Sequence, residues 1–229
     1  MPDDPVFLIT GASSGIGAAT ARQAAQAGYR LVLTARREDK LAALADELGG
    51  EERALAIPTD VTEWEAQEAM VATTLEAFGH IDVVFANAGF GAARGFKKET
   101  PEHWRAMVLT NVLGAAYTIR ATMDALIETT GHLLLTSSAA GRRALEGSLY
   151  SATKHAVTAM VESARLEFSD TGVRVTSIEP GMVDTPFFDD RPDGALHPDD
   201  IARAVMYAVG QPAHVDINEI LMRPVAQPN

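Results

Sequence analysis

The chain has 229 residues, of which 47% are hydrophobic and 22% charged, with a formal net charge of −12 at pH 7. It contains no cysteine, which excludes disulfides, thiolate nucleophiles and cysteine-ligated metal or iron–sulfur sites. An acidic surface of this kind repels nucleic acid and anionic membranes, and no run approaches the ~18 apolar residues of a membrane helix. Because no secretory leader is recognised either, we expect a cytoplasmic protein with no nucleic-acid or membrane partner.

Short β-branched runs alternate with longer amphipathic segments along the whole chain. Strands are predicted at Val6–Thr10, Arg30–Ala35, Arg53–Thr59, Ile81–Ala86, Gly131–Ser137, Val173–Glu179 and Asp216–Met222. Helices are predicted at Gly15–Ala27, Glu38–Leu48, Glu63–Phe78, Pro101–Glu128, Leu149–Thr171 and Pro198–Val209. This alternation predicts an α/β fold with a single Rossmann-type doubly wound domain: a seven-stranded parallel sheet with helices on both faces.

A glycine-rich turn follows the first predicted strand, with the sequence TGASSGIG from residue 10 to residue 17. Gly11 permits a tight turn, Gly15 lets backbone N–H groups approach a pyrophosphate, and Gly17 lets the helix pack closely on the sheet. A plain strand–helix turn would also account for the glycines, but the position in a βαβ unit favours a dinucleotide. The candidate cofactor ligands in this turn are Gly11, Ser13, Ser14, Gly15, Ile16 and Gly17.

The end of the second strand favours one dinucleotide over the other. An acidic residue there would bind the ribose hydroxyls of NAD, whereas this chain has Ala35 followed by Arg36 and Arg37. A guanidinium binds phosphate bidentately, and no carboxylate repels a 2′-phosphate, so the predicted cofactor is NADP(H). The alternative is that both arginines are solvated residues at the start of the next helix.

Further cofactor contacts are expected where the third and fourth strands end. Asp60 and Val61 follow the third strand, and the carboxylate of Asp60 could accept a hydrogen bond from an adenine amino group. Asn87, Ala88 and Gly89 follow the fourth strand, where Asn87 is more readily explained as a tie between strand ends than as a ligand.

Tyr150 and Lys154 lie four residues apart in a predicted helix and therefore on one face of it. A free tyrosine titrates near pH ~10, but a neighbouring cation stabilises the phenolate and lowers the pKa, which makes proton transfer feasible. Ser138, at the end of the preceding strand, could donate a hydrogen bond to the same substrate oxygen. Such a pair also occurs by chance in many helices.

Taken together, these motifs resemble the short-chain dehydrogenase/reductase family. The resemblance extends from Val6 to Met222 and rests on Thr10–Gly17, Asp60, Asn87-Ala88-Gly89, Asn111, Ser137-Ser138, Tyr150-x-x-x-Lys154 and Pro180–Thr185. It implies that Tyr150 is the general acid in carbonyl reduction and the base in alcohol oxidation. It also implies that Ser138 positions the carbonyl, while Lys154 holds the nicotinamide ribose and lowers the pKa of the tyrosine.

The same resemblance assigns two further elements. Asn111 would kink a long helix and anchor a water that links Lys154 to solvent. Pro180 and Gly181 would begin a loop over the nicotinamide, where the Val183 backbone and the Thr185 hydroxyl meet the carboxamide.

The substrate class is predicted from the length of a lid and from a few candidate pocket residues. A short lid at residues 185–197 favours a small molecule, and the candidate pocket residues are Arg94, Ala140, Arg142, Leu145, Phe187 and Phe188. Either Arg94 or Arg142 could bind a carboxylate, although an arginine in such a position is more often a surface residue. The segment from Pro212 to Val225 resembles an NADP-dependent branch that acts on 3-hydroxy acids and serine, but we expect it on the last strand and at an interface. The six histidines are scattered, so no metal site is predicted.

Residues 1–229 are thus predicted to form one oxidoreductase domain, with a cofactor-binding half (about 1–100) and a catalytic and substrate half (about 101–229). The expected reaction is reversible hydride transfer between NADP(H) and a small carbonyl, or a secondary or hydroxy-acid alcohol, as in carbonyl reductases and alcohol dehydrogenases. The alternatives are a non-catalytic NADP(H) sensor and a lyase or epimerase variant. The resemblance implies a homotetramer, or else a homodimer, formed through the long helices Pro101–Glu128 and Leu149–Thr171.

Overall fold

A computed structural model describes residues 4–187 and 193–227 of the chain. Its strands are β1 Val6–Thr10, β2 Arg30–Ala35, β3 Ala54–Pro58, β4 Val83–Ala86, β5 His132–Thr136, β6 Arg174–Pro180 and β7 Glu219–Met222. They form one parallel seven-stranded sheet in the order β3-β2-β1-β4-β5-β6-β7. The predicted fold class is therefore confirmed. Phe188 and part of the predicted lid lie outside the described residues.

The helices are α1 Gly15–Gln26, α2 Glu38–Glu47, α3 Trp64–Phe78, α4 Pro101–Val108, α5 Ala115–Thr129, α6 Leu149–Glu167 and α7 Pro198–Val209. Between α4 and α5 the chain continues as a π-helix, Leu109–Gly114, so the single long helix that was predicted is two α-helices joined by a π-turn. Among the described residues, no helix combines the length and the apolar character needed to cross a membrane.

Helices cover both faces of the sheet. Successive side chains along a strand point in opposite directions, so each strand supplies residues to both faces. Phe7 and Ile9 enter an apolar cluster with residues of α1, α2 and α7. Val6 and Leu8 enter a second cluster with residues of α3, α5 and α6. All five residues of β1 are buried, which explains why its sequence is continuously apolar rather than alternating.

The predicted strand Asp216–Met222 begins three residues late, at Glu219. The side chain of Asp216 accepts a hydrogen bond from the Val175 N–H at 3.1 Å, and the Ile217 carbonyl accepts one from the Thr176 hydroxyl at 2.6 Å. Side chains therefore replace part of the backbone ladder at this end of the pair.

The order of the strands reverses at β1, which has β2 on one side and β4 on the other. In open α/β sheets, ligands bind beyond the carboxyl ends of the strands at such a switch point. The glycine-rich turn and the residues after β4 are both located there.

Candidate active site

A cavity of about 760 Å³ opens at the carboxyl ends of the strands. This volume is within the range typical of cofactor and ligand sites. Most of the predicted site residues line it, namely Gly11, Ser13, Ser14, Gly15, Ile16, Arg36, Arg37, Asp60, Val61, Asn87, Ala88, Gly89, Arg94, Ser138, Ala140, Leu145, Tyr150, Lys154, Pro180, Gly181, Val183, Thr185 and Phe187. Gly17, Asn111 and Arg142 are not among the lining residues.

The glycine-rich turn is shaped by backbone conformation and by close packing. Gly11 and Gly15 have φ angles of +68° and +54°, in the left-handed region that favours glycine. A Cβ on Gly17 would lie 2.5 Å from the Gly11 carbonyl oxygen. Gly17 is buried and does not line the cavity. It lets α1 pack closely on the turn, and its role as a direct cofactor contact stays a prediction.

The start of α1 is suited to an anion. Ser14 occupies the N-cap position, but no side chain caps the helix and its first turn has no acidic residue. Thr100 and Ser148, by contrast, cap α4 and α6. The Ser14 hydroxyl instead accepts a hydrogen bond from Arg37 at 2.8 Å. The first N–H groups of α1 are consequently available to bind phosphate oxygens, aided by the helix dipole.

The charge of the cavity is opposite to that of the whole chain. Its basic lining residues are Arg36, Arg37, Arg94, Arg143, Lys154 and Arg223. Asp60 is the one acid among the described lining residues, and its carboxylate accepts hydrogen bonds from the Thr62 N–H and hydroxyl at 3.0 and 2.8 Å. A cluster of cations in a chain of net charge −12 fits a ligand that carries several phosphates.

Tyr150 and Lys154 lie in the first turns of α6 and face the same cavity. The Lys154 ammonium donates a hydrogen bond to the Thr136 carbonyl at 2.7 Å and lies 5.7 Å from the centre of the Tyr150 ring. Ser138 lies beside them, where its hydroxyl accepts a hydrogen bond from the Ala140 N–H and donates one to the Pro180 carbonyl.

Burial is the main cause of the pKa shifts of Tyr150 and Lys154. It raises the pKa of Tyr150 to about 12, which the Ser138 hydroxyl opposes, and it lowers the pKa of Lys154 to about 8. Both shifts arise because loss of hydration penalises the charged form of each group, while the Lys154 ammonium bonds the Thr136 carbonyl. Lys154 is not among the causes of the tyrosine shift, and its expected lowering of the Tyr150 pKa stays a prediction.

Asn111 supports the site from behind the cavity. It lies buried in the π-turn, where its side-chain amide bonds both backbone groups of Phe90, accepting from the N–H at 3.0 Å and donating to the carbonyl at 2.9 Å. It also donates to the Thr153 hydroxyl at 3.2 Å. The α-helical hydrogen bonding changes to a π-turn at this residue, while the predicted kink stays a prediction. The observed contacts join α6 to the loop after β4.

Asn87 ties strand ends together, as the residue pattern suggested. Its side-chain N–H donates to the Thr10 carbonyl at 3.0 Å, and its side-chain oxygen accepts from the Thr136 hydroxyl at 3.0 Å. The carboxyl ends of β1, β4 and β5 are thereby held in register beneath the cavity.

Residues 5–195 match the family model described as short chain dehydrogenase. The chain belongs to this family. An uncharacterized oxidoreductase of Staphylococcus saprophyticus is 41% identical over 229 residues, covering 97% of this chain and 98% of its own. An alcohol dehydrogenase from Thermococcus sibiricus, solved with 5-hydroxy-NADP, is 36% identical with a TM-score of 0.92 and covers 99% of both chains. Serine dehydrogenase from Escherichia coli is 34% identical with a TM-score of 0.89, covering 98% of this chain and all of its own.

This short-chain dehydrogenase uses one of its two adjacent loop arginines differently from the prediction. Arg142 donates to Glu179 at 2.5 and 2.6 Å and pairs with Glu219 at 2.5 Å, so it is not available as a substrate ligand. Glu179 is fully buried, and a buried carboxylate needs such a partner. The neighbouring Arg143 lines the cavity instead. Sequence pattern cannot distinguish two adjacent arginines in a loop, because their environment depends on the fold.

The end of the chain also contributes to the cavity, contrary to the expectation that it lies only on the last strand and at an interface. Arg223 and Gln227 line the cavity, and the Gln227 side chain accepts a hydrogen bond from the Met182 N–H at 2.8 Å. The Gly181 N–H donates to the Met222 carbonyl at 2.6 Å. No local motif marks these residues, since they reach the site only through the pairing of β7 with β6.

Proposed function

We propose that this dehydrogenase transfers a hydride between NADP(H) and a small carbonyl compound, or the corresponding secondary or hydroxy-acid alcohol. The observation that carries the proposal is the convergence of Tyr150, Ser138 and Lys154 on the same cavity as the glycine-rich turn. A proton donor and a dinucleotide cradle in one cavity are what carbonyl reduction requires.

NADP(H), when bound, supplies or accepts the hydride, and the residues of the chain manage binding and the proton. The start of α1 would hold the pyrophosphate, and Arg36 with Arg37 would hold the 2′-phosphate. Lys154 and the loop from Pro180 to Thr185 would hold the nicotinamide riboside. The absence of an acid beside Ala35 supports NADP(H) over NAD(H).

The chemical roles follow from protonation states. With a pKa of about 12, Tyr150 is protonated at neutral pH and can give its proton to a carbonyl oxygen as a hydride reaches the carbon. The Ser138 hydroxyl would hydrogen-bond the same oxygen. Reduction uses the protonated phenol, and oxidation uses the phenolate as base, so oxidation should speed up as the pH rises toward the pKa of Tyr150.

Two arginines at the substrate end support an anionic group on the substrate. Arg94 and Arg143 both line the cavity and are exposed, and neither has an ion-pair partner within residues 4–187 and 193–227. A carboxylate, as in a 3-oxo acid or a hydroxy acid, would pair with such a guanidinium.

The test measures NADPH oxidation by absorbance with aldehydes, ketones, 3-oxo acids and semialdehyde acids as substrates. A second set of assays measures the reduction of NADP by serine and 3-hydroxy acids. We expect Tyr150→Phe to lower kcat about 10²- to 10⁴-fold while NADPH binding is retained. Tyr207→Phe changes an exposed tyrosine of α7 and should leave turnover unchanged. Full turnover by Tyr150→Phe would refute the assigned role, and NADPH binding without turnover of any compound would favour the sensor.

A further inference from the structure

Phe187 lines the cavity beside Tyr150, the proposed proton donor. Its ring packs edge-on against the ring of Tyr150, with the ring centres 5.3 Å apart. The side chain is 40% exposed, so it belongs to the rim of the cavity rather than to the core. Its backbone N–H donates to the Thr185 hydroxyl at 3.3 Å, which places the residue directly after the loop that follows β6.

Gly91, in the loop after β4, contacts the Cζ end of this ring. A Cβ added to Gly91 would lie 2.4 Å from Phe187 Cζ and within about 3 Å of two more ring atoms. The φ angle of Gly91 is outside the left-handed region, so its backbone would accept alanine, and the three atoms nearest to the added Cβ all belong to the Phe187 ring. The Gly91 carbonyl is in turn bonded to the His103 imidazole at 3.0 Å, which holds this part of the loop against α4.

We infer that Phe187, resting on Gly91, limits the size of the group that a substrate can carry beside the carbon reduced at Tyr150. The ring bridges two loops that are distant in sequence and covers the side of the cavity next to the tyrosine. A substrate with a small substituent fits beneath the ring, whereas a branched or aromatic substituent needs the space that the ring fills. This inference rests on the proposed function, since it concerns the substrate of the same site.

The experiment compares kcat/KM for a series of carbonyl compounds of increasing bulk. In Phe187→Ala, we expect kcat/KM for an aromatic or branched ketone, relative to that for the smallest substrate, to rise roughly tenfold. Phe96→Ala is the matched control, because Phe96 is an exposed ring that packs on Trp104 and does not line the cavity. In this control, the dependence of kcat/KM on the bulk of the substrate (the size profile) should match that of the wild type. Equal loss on every substrate in Phe187→Ala would overturn the inference.

Gly91→Ala then tests the partner surface by a double-mutant cycle. The added methyl group must displace the ring, so the size profile should change in the wild-type background and stay unchanged in the Phe187→Ala background. The same effect of Gly91→Ala in both backgrounds would show that Gly91 acts independently of the ring, which contradicts the inference.

The urea-unfolding midpoint supplies a readout that needs no turnover. Gly91→Ala should lower the midpoint only when Phe187 is present, because only then does the methyl group meet a ring. Failure to turn over any carbonyl compound would count against the proposed function alone, and the unfolding cycle would still decide whether Phe187 closes on Gly91. An equal midpoint shift in both backgrounds would reject that contact.

Discussion

Lys154 is a cation with little access to water: it is 4% exposed, and its ammonium bonds one carbonyl, that of Thr136. A single carbonyl replaces only part of the hydration that the ammonium has lost. The lowered pKa of about 8 expresses this penalty. Because burial of the charge by itself destabilises the fold, this cost supports the proposed role of Lys154 in binding the cofactor.

Replacing this lysine should therefore stabilise the protein at neutral pH. Between about pH 8 and 10.5 the unfolded chain holds the Lys154 proton and the folded chain does not, so the stability of the wild type rises with pH in that window. Lys154→Met should exceed the wild type in unfolding free energy by about 3 kcal/mol at pH 7, and most of this advantage should be gone at pH 10. Urea unfolding at both pH values measures it, with the exposed Lys40→Met as control. An advantage that is the same at both pH values would refute the assigned burial penalty.

The predicted preference for NADP(H) over NAD(H) depends mainly on Arg36. Arg36→Asp removes a guanidinium and places a carboxylate where a 2′-phosphate would lie, so we expect the ratio of kcat/KM for NADPH to that for NADH to fall about 10- to 100-fold. The ratio is internally controlled, because a general loss of activity affects both cofactors alike. Unchanged selectivity would remove Arg36 from the phosphate site.

A buried side chain of α3 holds the π-turn between α4 and α5 in place. Gln67 is fully buried, and its side-chain N–H groups donate to the carbonyls of Val61 and Gly114 at 2.9 and 3.0 Å. Its side-chain oxygen accepts from the Thr118 hydroxyl at 3.0 Å. Gln67 thus links the loop after β3, which lines the cavity, to the end of the turn that carries Asn111.

Removing these hydrogen bonds should weaken the whole fold. Gln67→Met keeps a similar volume but leaves the Val61 carbonyl without the amide donor, while the Gly114 carbonyl keeps the Thr118 hydroxyl, so we expect a loss of about 1–3 kcal/mol in unfolding free energy. Gln26→Met, at an exposed position of α1, should change it by less than about 0.5 kcal/mol. Equal stability of the two variants in urea unfolding would show that the Gln67 network contributes little.

Two helices on the surface of the molecule expose apolar side chains. Leu166 on α6 is 76% exposed and Ile127 on α5 is 36% exposed, which leaves apolar surface on the two helices predicted to meet in a homotetramer. Single exposed side chains are common, but two on helices expected at an interface support the prediction.

A charge at this surface should disrupt the assembly. Leu166→Glu would place a carboxylate against apolar side chains of a second copy, so we expect light scattering to show a smaller species than for the wild type at the same concentration. Circular dichroism checks that the fold is retained. The same mass for wild type and variant would place the interface elsewhere, and a monomeric wild type would contradict the tetramer.

Much of the fold and part of the site could be predicted from local pattern alone. The glycines at 11 and 15, the run of apolar strands and the pair Tyr150 and Lys154 each express a constraint that acts over a few residues: a left-handed turn, burial on both faces, and one helical turn. Such constraints are visible in the sequence because neighbours in the chain are neighbours in space.

The tertiary structure decided what depends on residues distant in the chain. Arg142 is held by Glu179 and Glu219 while Arg143 faces the cavity, and Gln227 reaches the loop after β6 only because β7 pairs with that strand. The raised pKa of Tyr150 likewise follows from the burial that the surrounding segments impose. Charge pairing, desolvation and closure of a cavity depend on which surfaces meet, and no local pattern in the chain encodes that.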